Sequence, residues 1–488
     1  MNRWGGIAAG ALVAGLVLAA GNSVWAQEGA DAGSGPAWLE PLTVNGYVRN
    51  ETAIRLTQPA GLVKVLNIVN LEPRYAFGPT AQLSARLRGF YDAAYDFVDI
   101  DTISPRKGPE SILAGDIDTA EEVNAIRIAN IRNVEVRKVG VELKEFYLDL
   151  HFRILDIRAG RQIVRWGVVE GARVTDEINP LDFQEFILRE VNDRYVPLWM
   201  VKNDLYLGDT TLEALWIPDL RTHEPAARES EWEQFRFLPR MKRPSKTVKN
   251  SEWALKASRL IGRWDLSASY FSTWDDFPVV FRTVDVPTGF GASPTPEFTP
   301  RVGRLDIFGT TLSTSVGRAI VNAEAAWVQD KFWGTRLSGT DPATGNPRVT
   351  LGEAQSDLFK YAVGVDFTFM TAECSFQVLQ HRILDWVPEM IPDRIDTVYG
   401  AFVRKGVLHD RMVLQMLALF FQNDTEWLVR PRMEYAVTET LKLSAGMDYL
   451  RGSISDSKPG EVPLPGQFHF VGFFKNNSRF YTELQYSF

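Results

Sequence analysis

Asp176, Glu177, Asp182 and Glu185 stand close together in one segment, and the runs on either side carry Arg161, Arg165 and Lys202. Arg86 and Arg88 lie on an earlier run. Carboxylates set across a gap from guanidinium and ammonium groups can steer and hold charged solutes. These nine residues are therefore the candidate lining of a constriction. They carry no catalytic pattern: H-E-x-x-H, G-x-S-x-G and a Gly-rich phosphate loop ending in Lys are all absent. Of the five histidines, His151 and His381 fall on or near apolar runs and are the available bases for a hydrolytic triad assembled from separate segments. Histidines that simply line a rim or a lumen are the plainer reading. A second acidic group, Asp96, Asp99, Asp101, Asp116, Asp118 and Glu121, offers the oxygen ligands that hard cations take, but without EF-hand spacing. A solvated loop accounts for it, and no metal or cofactor is expected.

The segment between these charges has an order of its own. Asn179-Pro180 combines an N-cap residue with a first-turn proline and predicts a short helix. Phe183, Phe186 and Ile187 then fall at i, i+3 and i+4, an apolar stripe. Such a stripe needs cover, and the nearest cover is the interior of the fold that carries it. The loop Gly167–Pro197 is thus expected to fold inward, with a cap over the outer mouth as the alternative.

The elements that position these residues follow a period of two. In "LFKYAVGVDFTF", Phe359, Tyr361, Val363, Val365, Phe367 and Phe369 share one face, against Lys360, Gly364, Asp366 and Thr368. "TLKLSAGMDYL" repeats the scheme with Leu441, Leu443, Ala445, Met447 and Tyr449. Runs of about ten such residues exceed the usual soluble strand of about five or six and match the length that spans a bilayer when tilted. Short turns at Gly78, Gly208, Gly262 and Gly317 alternate with long polar segments, the two-rim layout of an outer-membrane barrel. The reading is an all-β, transmembrane antiparallel β-barrel of about 18 strands (range 16–20) with an inward-folded loop. Parity places "QFHFVGFF" in the last long loop. The alternation slips beside Lys144 and again near Gly160, where a bulge would reconcile the two halves of each strand. Trp166, Trp199, Trp216, Trp274, Trp333 and Trp386, near run ends, suit interfacial girdles.

The two ends agree with export to a membrane. Residues 1–26 carry one charge, Arg3, an apolar run from Ile7 to Ala20, and Val24-Trp25-Ala26 as a cleavage site, the pattern of a signal peptide. Residues 27–41 read as a flexible lead-in and 42–488 as the barrel. The last run, "RFYTELQYSF", alternates to its end, so Leu484, Tyr486 and Phe488 are expected to close the sheet. The one cysteine, Cys374, cannot form an intramolecular disulfide, which favours bacterial export over eukaryotic secretion. A net charge of −8 argues against nucleic acid as a partner.

"GRQIVRWG" (160–167), "DEINPLDF" (176–183), "VPLWM" (196–200) and "LEALWIPD" (212–219) resemble a porin-like family of proteobacterial outer-membrane proteins known mainly as a domain of unknown function. The likeness spans roughly the first half of the exported chain plus the terminal strand. It implies association with inner-membrane exporters of the resistance–nodulation–division type and handling of hydrophobic molecules. It brings no catalytic residues. The ending is similar to the C-terminal signal of Gram-negative outer-membrane proteins, which implies that the barrel-assembly machinery reads Leu484, Tyr486 and Phe488. The expected function is an outer-membrane channel passing small molecules, including hydrophobic ones, in contact with outer-membrane lipid. The alternatives are an outer-membrane lipid hydrolase and a plugged structural barrel. Interior charges of both signs give such a lumen no strong ion preference.

Overall fold

The computed structural model describes residues 41–104, 131–132, 136–227, 229–233, 238–239, 241–285, 295–340, 347–454 and 469–488. The expected signal peptide at 1–26, the lead-in apart from residue 41, and Asp116, Asp118 and Glu121 lie outside the described residues. Eighteen strands form a single antiparallel sheet that closes on itself. The first, Leu42–Arg55, pairs on one side with Gly61–Ala76 and on the other with the last, Arg479–Ser487. Closure is what hydrocarbon demands, since a sheet with a free edge would leave a row of amides without partners. At the seam the Phe488 N–H donates to Gly46 O and the Gly46 N–H to Phe488 O, each at 3.0 Å.

The period of two sorts the faces. Val48, Asn50 and Ile54 lie opposite Tyr486, Leu484 and Phe480 on the outer face, while Arg49, Glu51 and Arg55 meet Gln485, Glu483 and Arg479 inside. Phe359, Val363, Leu443 and Tyr449 are exposed on the outer wall, whereas Lys360, Ser444 and Asp448 are buried in the lumen. Tight turns with left-handed glycines at 208, 262 and 317 make one rim. The long connections gather at the other. Two of these, read from sequence only as polar loops, rise as hairpins: Val279–Asp285 with Thr295–Arg301, and Phe332–Thr340 with Pro347–Gln355. The described end of "QFHFVGFF" is a turn leading into a 3-10 helix, Gly472–Asn477, and not a nineteenth strand.

The slip beside Lys144 is a bulge: Arg86 faces Glu145 and Leu87 faces Leu143, leaving Lys144 unopposed. At Gly160 the ladder keeps its register on both sides. The irregularity there is instead a backbone φ of +143°, with Phe146 O so close that a Cβ would sit 2.2 Å from it. Of the expected girdle residues Trp199 is exposed on the outer face, but Trp333 and Trp386 pack against the interior cluster, and Trp166, only 3% exposed, belongs to it. Its indole N–H donates to Glu213 at 2.7 Å.

The core is inside the barrel. Val164, Trp166, Val169, Val174 and Ile178 of the inward segment pack on Met200, Leu215, Ile217, Phe271, Ile307 and Leu358 of the wall. A second cluster joins Phe186 and Leu188 to Trp232, Leu428, Leu450, Val471, Phe473 and Phe474, with Leu419 and Phe421 against it. Apolar positions on both faces of strand Met412–Phe421 are explained by this packing.

Candidate functional site

The loop between strands Leu155–Gln162 and Leu198–Leu207 crosses the lumen, held by side chains from opposite walls. The Glu324 carboxylate accepts the N–H groups of Val168 and Val169 at 2.6 Å, the N–H of Thr175 at 3.1 Å and its hydroxyl at 2.7 Å. Across the barrel Arg430 donates to Leu188 O at 2.9 Å, and Arg432 and Arg49 reach Glu190 at 3.2 and 3.3 Å. The loop is therefore a strut between the walls.

The short helix expected at Asn179 is not formed. Asn179, fully buried, uses its side chain as a cross-brace: Oδ1 accepts the Val164 N–H at 2.8 Å and Nδ2 donates to Val196 O at 2.9 Å. With its cap spent on the two ends of the loop, the chain forms a short strand, Gln184–Ile187, broken at Phe186 by a φ of 53°, and makes one helical turn at Val191–Arg194. The apolar stripe divides. Phe183 sits edge-on to His223 at 5.2 Å, while Phe186 stacks on Trp232 at 5.9 Å, with Ile187 beside the same cluster.

The predicted acids and bases are sorted differently from the pairing expected. Asp176 and Asp182 bond within the loop, the first to the Trp166 N–H and the Tyr195 hydroxyl, the second to Arg189. Glu177 and Glu185 do reach the wall, but Glu177 meets Lys360 and Glu185 meets Lys64 at 2.6 Å and Arg479 at 3.6 Å. Arg86 lies 3.6 Å from Asp193 of the loop. Lys202 bonds its own wall, at 2.6 Å from Asp204 and 3.7 Å from Glu213. Arg165 is exposed, with its guanidinium 5.3 Å above the Tyr195 ring. Arg161 pairs in register with Phe146 and Trp199, both exposed on the outer face, and lines neither lumen cavity. Arg88 lines both.

Sequence reasoning passed over Arg49, Lys64, Lys360, Arg430, Arg432, Arg479 and Glu190. For the wall residues the available signal was their place on the polar face of alternating strands. Arg49, Glu51 and Arg55 share that face in the first strand, as Arg479 and Glu483 do in the last. A cavity of about 390 Å³ lies between the loop and this part of the wall, with charges of both signs around it and Leu188, Phe402 and Leu417 among its apolar lining.

Burial and charge set the protonation of the loop groups. Burial opposes ionisation of Glu177, but Lys360 and Arg173 outweigh it and hold its carboxyl down to about 2. Asp276, buried beside Glu252 and Glu177, is pushed well above the usual carboxylate range, with Arg173 offsetting only part of the effect. Burial, with Arg173 near by, drives His223 well below its ordinary value. Neutral His223 accepts the Leu181 N–H at Nδ1, 2.8 Å away.

Metal and catalytic candidates are fewer. Asp96 bonds Tyr91 and Lys138, and Asp99 caps a short helix through the Asp101 N–H. Among the described residues, Asp424, Glu426 and His469 bring possible ligand atoms within 4.8 Å of one another. Both Glu426 oxygens already accept backbone N–H groups, from Val471 and Gly472, so this cluster holds the last long loop. His151 bonds Asp156 at 2.9 Å on an exposed turn, and His381 is a wall residue opposite Lys360 and Asp396.

A closed 18-strand barrel with an inward loop defines a porin-type transmembrane fold. OccAB2 of Acinetobacter baumannii superposes with a TM-score of 0.50 at 11% identity, covering 93% of this chain and 99% of that one. OccK8 (OprE) of Pseudomonas aeruginosa gives 0.48 at 10% over 93% and 99%, and a BenF-like porin from Pseudomonas fluorescens Pf-5 gives 0.47 at 8% over 92% and 99%. At these identities the likeness concerns the fold. The chain belongs to the family described as "Protein of unknown function (DUF1302)", whose model matches residues 64–403. That match runs further along the wall than the motifs resembling the family, and stops short of the terminal strand. No curated protein matches.

Proposed function

We propose that this chain is an outer-membrane channel of a Gram-negative bacterium, passing small molecules through a lumen narrowed by the Gly167–Pro197 loop. The observation that carries the reading is the cavity of about 390 Å³ bounded jointly by the loop and the inner wall, inside a barrel whose backbone has no open edge. A wall alone would suit any barrel. A charged chamber between wall and loop suits selection of a solute. The constriction consists of Arg88 and Glu185 with Lys64, Arg189 and Arg479; Arg86 lines neither cavity and faces Asp193 of the loop, and Glu177, Asp176 and Asp182 hold the loop in place. Export through the signal peptide, and recognition of Leu484, Tyr486 and Phe488 by the assembly machinery, belong to the same reading. Leu484 and Tyr486 are exposed on the outer face, where an insertion partner can reach them.

Reconstitution in a planar bilayer tests it. Discrete conductance steps, with no hydrolysis of a chromogenic ester by the same preparation, are expected. A correctly folded barrel that conducts nothing would refute the channel and leave a plugged structural barrel, and ester turnover would point to the hydrolase.

A further inference from the structure

Two cavities meet in the lumen. Beside the larger one lies a second of about 150 Å³, bordered by Phe90, Tyr95 and Trp232. Five residues border both: Lys64, Arg88, Glu185, Arg189 and Arg479. They are the partition between the chambers. Four are cations and one is an anion.

The cations are not equally satisfied. Lys64 holds Glu51 at 2.5 Å and Glu185 at 2.6 Å, Arg189 holds Asp182, and Arg479 holds Asp448 at 2.8 Å and Glu231 at 2.9 Å. Arg88 is different. It is 5% exposed, its Nε is buried without an acceptor, and it makes no hydrogen bond or ion pair among the described residues. The neighbouring carboxylates make their close contacts with other cations, Asp193 with Arg49 at 3.2 Å and Glu142 with Lys144 at 3.6 Å, and Arg88 bears on Asp193 through its charge without a hydrogen bond. The unpaired Nε–H is costly, because that donor has left water and gained nothing, while the terminal nitrogens of Arg88 are not among the buried unpaired atoms. Glu185 shows what fits among these cations: its carboxylate bonds Lys64 and lies 3.7 Å from Arg189 and 3.6 Å from Arg479. Apolar walls stand on both sides, Phe90 and Trp232 in one chamber, Leu188 and Phe402 in the other.

We propose that this partition is a selectivity site for small organic carboxylates with an apolar body. Arg88, charged and without a hydrogen bond, is the donor that receives the permeant's carboxylate. Glu185 is the internal carboxylate that occupies the remaining cations and competes with the permeant for them. The planar fork of Arg matches a carboxylate in two parallel hydrogen bonds, which an alcohol or an amine cannot reproduce. The transport consequence rests on the channel reading above; the binding site does not.

Binding and passage are therefore measured separately, with benzoate as probe and benzyl alcohol and benzylammonium as controls. In calorimetric titration of the detergent-solubilised barrel, benzoate binds and neither control does. Arg88→Gln weakens benzoate about tenfold or more, as expected for loss of a hydrogen-bonded charge pair. Arg88→Lys, which keeps the charge, recovers part of that loss, and Glu185→Gln, which removes the competitor, binds benzoate severalfold more tightly than the parent chain. Heat-modifiable gel mobility identifies variants that have folded. Benzoate affinity unchanged in folded Arg88→Gln or Arg88→Lys, or benzylammonium binding as well as benzoate, overturns the proposal. In swelling of proteoliposomes, benzoate enters faster than benzylammonium, and Arg88→Gln removes the difference. Benzoate binding without entry keeps the site and refutes the channel; entry without preference for benzoate keeps the channel and refutes the site.

Discussion

Replacing Glu324 by Ala should undock the lumen loop while leaving the barrel wall intact. Four hydrogen bonds from the loop end on this carboxylate, which is 3% exposed. Bonds to an ionised acceptor contribute about 1.5–3 kcal/mol each, so their sum has a ceiling of about 6–12 kcal/mol. Three of the four donors are backbone N–H groups. Lumen water entering the space left by the side chain can satisfy some of them, which brings the expected loss to about 3–5 kcal/mol. Each ~1.4 kcal/mol is a factor of ten in an equilibrium constant. The amides of Val168, Val169 and Thr175 should then lose roughly two to three and a half orders of magnitude of hydrogen-exchange protection. Amides of the wall strands should keep theirs, since their bonds run between neighbouring strands. Glu324→Gln, which retains one carbonyl oxygen, should fall between. Exchange measured by mass spectrometry on the folded barrel decides it, with larger and noisier single-channel conductance as the accompanying sign. Unchanged exchange at those three amides in Glu324→Ala would refute the strut.

Loop docking should also respond to acid in a defined direction. The folded value of Glu177 lies below its ordinary 4.5, so its stabilising contribution is complete above about pH 4.5 and is lost as pH falls toward about 2. Asp276 has the opposite sign, because its raised folded value means stability is lost as pH rises through it. Glu177→Gln should thus loosen the loop at pH 7 by leaving Lys360 without its carboxylate, while Asp276→Asn should be neutral or stabilising, both read by exchange at Val174 and Thr175. Gly160→Ala should abolish the folded band on a semi-native gel, since its Cβ would meet Phe146 O at 2.2 Å at a φ of +143°; a folded barrel with an unchanged unfolding midpoint would contradict this. Deleting Phe488 should lower folded yield in cells more than refolding yield in detergent, and equal losses would assign the residue to structure alone.

The wall was readable because its code is local. Every second residue of "LFKYAVGVDFTF" or "TLKLSAGMDYL" answers to hydrocarbon, whatever the strand's neighbours. The inward course of the loop was readable for a similar reason, since Phe183, Phe186 and Ile187 needed cover and the lumen was nearer than a cap over the outer mouth. The loop's local form was not. Asn179 has the chemistry of an N-cap, and only the arrival of Val164 and Val196 on either side turns it into a brace. The ion pairs were hidden by distance along the chain: Glu177 and Lys360 are 183 residues apart, and Glu185 and Lys64 are 121 apart. Which wall charge meets which loop charge depends on the order of strands around the circumference, and no run of residues states that order. Arg88 could be placed on a polar face from its own strand, but its lack of a partner is a property of everything around it.

The mutual bonds of Gly46 and Phe488 impose a timetable on biosynthesis. The first strand's outer margin has no mate until the far end of the chain has been made, so nascent and truncated molecules alike carry two raw borders. A molecule halted before Arg479 therefore offers a protease an entry point that the completed ring has sealed.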